Sequence, residues 1–136
     1  MKKATGILYW APRILSILFI CFLTLFSFDV FELGLSPGET ALAFFMHSIP
    51  SIVLLVLLLI AWKFELVGAF AFIGAGLLYM GLTAFNAFRS GFQWYMALAS
   101  SMTLAGPAFL IGVLFLMSFI MKKRNSVKNE KNEKND

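Results

Sequence analysis

The chain has 136 residues, 60% of them hydrophobic and only 13% charged, with a formal charge of +4. A water-soluble domain carries about 25% charged residues, and apolar surface this continuous cannot be hidden from water. The charges are also segregated, since nine of the last fifteen residues are charged and the rest of the chain is poorer still.

A helix needs about 20 apolar residues to cross the roughly 30 Å hydrocarbon layer, and backbone groups in lipid must pair within their own segment. The first segment that qualifies spans residues 7–28. The opening Met-Lys-Lys followed by an apolar run resembles a signal peptide. The run from Ile14 to Phe28 is long, however, and no small-residue cleavage site follows it, so it reads as an uncleaved first span. Cys21 is the only cysteine, which excludes an intrachain disulfide. Arg13, Ser16, Ile20, Thr24 and Ser27 recur at steps of three and four and share one face. Lipid rejects such a face, which directs it into a bundle. The competing reading has Ser and Thr bonding their own backbone while Arg13 snorkels to headgroups.

The connection DVFELGLSPGET, residues 29–40, contains Ser36-Pro37-Gly38-Glu39. This pattern predicts a capping box, with Ser36 as N-cap and Glu39 three residues on; a type II turn is the alternative. The second span covers residues 41–62 and the third covers residues 66–87. One helix over both would run about 70 Å. It would also hold Lys63 and Glu65 at its centre, at roughly 2.5–3.5 kcal/mol each. A tight hairpin at Lys63-Phe64-Glu65, on the membrane surface, avoids both problems. His47, the only histidine, lies in the outer half of span two, where it can join the polar face as a partner for Thr24 or Ser27. Tyr79 and Asn86 on span three are expected to bond within the bundle.

The fourth span, residues 95–121, follows the short connection RSGFQWY. Ala97, Ser101, Ala105, Ala108 and Gly112 form a stripe of small residues on it, a helix-packing signal. Gly68, Ala71, Gly74, Ala75 and Gly81 supply a matching broad face on span three. Pro50 and Pro107 lie inside spans two and four, where each removes a helical hydrogen bond and predicts a kink. Lys122-Lys123-Arg124 stops the last span. The Lys-Asn-acid repeat after it has no apolar face to bury, so residues 122–136 are expected to be disordered. The tail reads as a solvated anchor; the competing reading is electrostatic contact of Lys122-Lys123-Arg124 with anionic lipid, although three basic residues fall short of the usual size for specific lipid recognition.

The fold class is therefore all-α: a polytopic membrane protein with a four-transmembrane-helix bundle over residues 1–121 and a disordered charged tail. With both termini in the cytoplasm, the inner side holds Lys2, Lys3, Lys63 and the six basic residues of the tail, against Arg89 alone outside. This positive-inside bias predicts a multi-pass plasma-membrane protein. Tyr9, Trp10 and Trp62 fall at the inner interface, and Trp94 and Tyr95 at the outer one. Alternation of the spans also brings Arg13 and Glu65 to the inner face, where a salt bridge is expected. Exchanging the two charges should then restore folding lost in either single mutant.

APRILSILFICFLTLFSFDVF, HSIPSIVLLVLLLIAWKFELVGAFAFIGAG and GPAFLIGVLFLMSFIMKK together resemble a family of small, uncharacterised prokaryotic four-span membrane proteins. AWKFELVG, with the proline upstream, is the most specific piece. The resemblance implies a four-helix fold in a prokaryotic inner membrane and no particular activity.

No metalloprotease, hydrolase, Cys/His metal or phosphate-loop motif occurs, and no acidic residue lies at mid-membrane. The reading is of a non-enzyme without a cofactor or catalytic, cofactor-binding or metal residues, and without a nucleic-acid partner. It acts in the lipid bilayer through helix contacts, as a homo-oligomer or as a subunit or accessory of another membrane protein. Two alternatives predict different behaviour in liposomes. A small transporter or channel component gives selective flux altered by His47→Ala, and a holin-like permeabilising protein gives gross leakage.

Overall fold

The computed structural model describes residues 2–134, and the side chains of residues 6–134. Four helices account for nearly all of it: α1 (Lys2–Phe28), α2 (Pro37–Lys63), α3 (Glu65–Ser90) and α4 (Trp94–Glu133). Each is long enough to cross a bilayer, with mean hydropathy between 1.8 and 2.4 in its most apolar stretch. The chain is a multi-pass membrane protein with an all-α four-helix bundle.

The turns between helices follow from local chemistry. After α1 a short 3-10 helix, Asp29–Leu33, buries Val30 and ends at Gly34 with φ +64°. That left-handed conformation suits glycine, which has no Cβ to clash. The capping box prevails over the type II turn. The Ser36 amide and hydroxyl both donate to Glu39 Oε2, at 3.1 and 2.7 Å, and Pro37 opens α2. The α2–α3 corner is tighter than a three-residue gap: Phe64 alone is non-helical. Gly91, at φ +69°, ends α3. α2 and α4 run unbroken through Pro50 and Pro107.

The helices form a ring in which α1 packs on α2 and α4, and α3 packs on α2 and α4. The α3–α4 contact is the most extensive because small residues let the two backbones approach. A Cβ added at Gly112 would lie 3.1 Å from both the Ala69 carbonyl oxygen and the Ile73 amide nitrogen. Gly68 faces the Phe115 ring and Ala61, and Gly76 faces the Phe109 ring. The expected face on α3 needs correction here. Gly74 and Gly81 look into open space, and the packed face is Gly68, Ala69, Phe72 and Gly76. Phe19, Ile20, Leu54, Leu58, Phe72, Ile111 and Phe115 fill the ring's interior.

The tail is a second difference. Of residues 122–136, expected to be disordered, 122–133 continue α4 as helix to Glu133, and residues 135 and 136 lie outside the described residues. The premise of the expectation holds, since every residue from Lys122 to Lys134 is exposed and none packs on the bundle. Lys and Glu nevertheless lose little side-chain freedom in a helix, and the preceding span supplies a nucleus already formed.

Candidate functional site

The polar site lies at the end of the ring that carries the α2–α3 corner. Two helix ends meet there, the C-terminus of α2 and the N-terminus of α3. The first exposes unpaired carbonyls and partial negative charge; the second exposes unpaired amides and partial positive charge. Phe64 covers part of the deficit. Its amide donates to the Ile60 carbonyl at 3.0 Å, and its carbonyl accepts from the Val67 and Gly68 amides at 3.0 and 3.4 Å.

Arg13 covers one more of these groups, the Trp62 carbonyl. It projects from α1 and is completely buried. Nη1 donates to the Tyr9 carbonyl one turn back. Nη2 donates to the Trp62 carbonyl at 3.2 Å and meets Glu65 Oε1 at 3.3 Å. The cation thus sits at the negative end of α2, and the Glu65 carboxylate is the first residue of α3, at its positive end. Glu65 is itself only 4% exposed. The guanidinium lies 3.6 Å above the centre of the Tyr9 ring, with the rings of Trp62 and Phe115 each at 5.9 Å. These faces favour the cation and keep water from it. Among the described residues, Arg13 Nε and Glu65 Oε2 are buried without a hydrogen-bond partner.

The other expected residues fall as follows. Arg13, Ser16, Ile20 and Ser27 are buried and Thr24 is half-buried, so the polar face of α1 turns into the bundle. Ser16 and Thr24 donate to the carbonyls of Pro12 and Ile20 in their own helix, at 2.6 and 2.8 Å. Ser27 Oγ is buried with no partner. Arg13 does not snorkel to headgroups, because the ion pair and the Trp62 carbonyl hold it inside. His47 does not join this face. It is exposed, and its Nδ1 lies 2.9 Å from the Ala43 carbonyl of its own helix. α2 is apolar nearly all round, so a single imidazole does not decide which way the helix turns. Tyr79 and Asn86 are likewise exposed rather than bonded within the bundle. The stripe Ala97, Ser101, Ala105, Ala108 and Gly112 is buried throughout, against α3 at its Gly112 end.

Sequence reasoning missed the aromatic enclosure. The spacing of Tyr9 and Arg13, one helical turn apart, was a usable signal for its first member. Nothing local marks Phe115, which arrives from α4 only through the ring's closure.

A family model described as "Domain of unknown function (DUF7670)" matches residues 1–128. No curated protein and no solved structure matches the chain.

Proposed function

The chain belongs to this family of unknown function, and on that premise we propose a non-enzymatic membrane protein that acts by contact, as a subunit or accessory of a larger assembly. One observation carries the proposal: the interior of the ring is filled. Phe72, Phe115, Leu58 and Ile111 are all buried at 2% exposure or less in the half of the ring nearer the α2–α3 corner. Arg13 and Glu65 occupy the corner end as a mutually compensated pair. A conduit needs a polar or openable path along the axis, and the residue offered for it, His47, faces outward. What such a protein presents to its surroundings is its outer surface and the basic extension of α4.

The proposed setting is the plasma membrane, with both termini and the α2–α3 corner in the cytoplasm. The excess of basic residues at that end supports this orientation. Reconstitution into liposomes loaded with a self-quenched dye and a pH indicator tests the contact role. The expected result is dye retention and a proton leak equal to that of empty liposomes. Selective ion or proton flux, or dye release, would overturn it.

A further inference from the structure

The extension of α4 beyond the bundle sorts its charges by face, which the linear repeat conceals. Leu110, Val113, Met117 and Ile120 step along α4 at intervals of three and four, and all are about half exposed on its outer side. The same stepping continues to Arg124, Val127, Lys128 and Lys131, so these residues stand above the lipid-facing stripe. Ile120, Lys123, Arg124, Val127, Lys128 and Lys131 line one shallow furrow. The buried stripe, from Ala108 through Ile111 and Phe115 to Ser118, continues instead to Lys122, Ser126 and Glu133. Lysines and acids three residues apart drift slowly round the helix, so the lysines keep to the outward half while Glu130 and Glu133 keep off it.

We propose that this outward face binds the anionic headgroups of the lipids around the bundle. Its furrow is lined by Lys123, Arg124, Lys128 and Lys131 and by no acidic residue. Helical folding of the tail therefore raises the cluster from three consecutive basic residues to one that meets the usual size of about four to eight. Lys128 lies about 10 Å along the axis from Met121, close to the screening length of roughly 8–10 Å at physiological salt. Side chains on a helix lean toward its N-terminus, which for this extension is back toward the bilayer. Exposed Val127, at the centre of the face, adds an apolar contact for the interface. The proposal rests on the four helices spanning a bilayer and is independent of the contact role above.

The test uses the full chain with Cys21→Ser and an environment-sensitive fluorophore on Val127→Cys. A second variant carries the fluorophore on Ser126→Cys, about 100° round the helix on the side that continues the buried stripe. Each is placed in nanodiscs of phosphatidylcholine, and in nanodiscs where phosphatidylglycerol replaces part of it. The expected result is a blue shift at position 127 with the anionic lipid, larger than at 126. High salt removes it, as does Lys128→Glu combined with Lys131→Glu. Equal emission at 127 in both lipids would overturn the proposal and leave the face to an acidic protein. Equal shifts at 126 and 127, or a shift that survives the double charge reversal, would overturn it as well. The two lysines are exposed and lie on α4 beyond the bundle, so loss of fold does not confuse the result.

Discussion

Arg13 and Glu65, separated by 52 residues, meet at 3.3 Å in a site almost closed to solvent. Each stands at the helix end whose partial charge it opposes: the arginine against the last carbonyls of α2, the glutamate in the first turn of α3. The pair ties α1 to the corner and offsets two helix termini in one contact.

Removing one partner leaves the other charge buried and alone. Arg13→Ala or Glu65→Ala should therefore destabilise the bundle by about 3–5 kcal/mol. The helix ends also change what a charge exchange does. Arg13→Glu turns a carboxylate on the carbonyls of Tyr9 and Trp62, and Glu65→Arg sets a cation at the positive end of α3. The exchange should fail to rescue either single mutant, whereas Arg13→Met with Glu65→Leu should recover most of the lost stability. Reversible unfolding in detergent measures all of these. Full rescue by the exchange would show that the pair alone matters and the helix ends do not.

Glycines on α3 and α4 should divide sharply. Gly112→Ala pushes a methyl against the Ala69 carbonyl and the Ile73 amide, backbone atoms that cannot turn aside. A loss of about 1–3 kcal/mol is expected. Gly74→Ala and Gly81→Ala meet nothing within 4 Å and should be neutral or gain about 0.5–1 kcal/mol from the stiffer chain. The same unfolding assay separates the two classes.

His47→Ala should change little. The imidazole is exposed and bonded only to its own helix, so stability should stay within about 0.5 kcal/mol of the native chain. Proteoliposome flux should not change either. A change in flux would return His47 to a pathway.

The sequence announces the four spans, the corner and the Ser36 cap because each rests on local signals: a hydropathy window, a charged pair between two such windows, a four-residue motif. Arg13 and Glu65 were within reach because alternation of spans brings them to one end. Rotation of the helices was less legible. α2 is apolar nearly all round, so nothing in its pattern turns His47 outward. On α3, glycines 68, 74 and 81 share a composition but not a side, and the choice between them is made by Phe72 and Phe115 entering the core. Phe115 as a wall of the arginine site, and the sorting of the tail lysines onto the lipid-facing side, both depend on how α4 is seated. That is a property of the closed ring.

Placement of the corner is the claim from which the orientation and the accessibility of the basic extension follow. Phe64 is the one non-helical residue between α2 and α3 and is 55% exposed. With Cys21→Ser and Phe64→Cys, a membrane-impermeant thiol reagent should label the protein in inside-out vesicles and not in intact cells. Labelling in intact cells would place the corner and the basic helix outside, and contradict the orientation drawn from the basic residues.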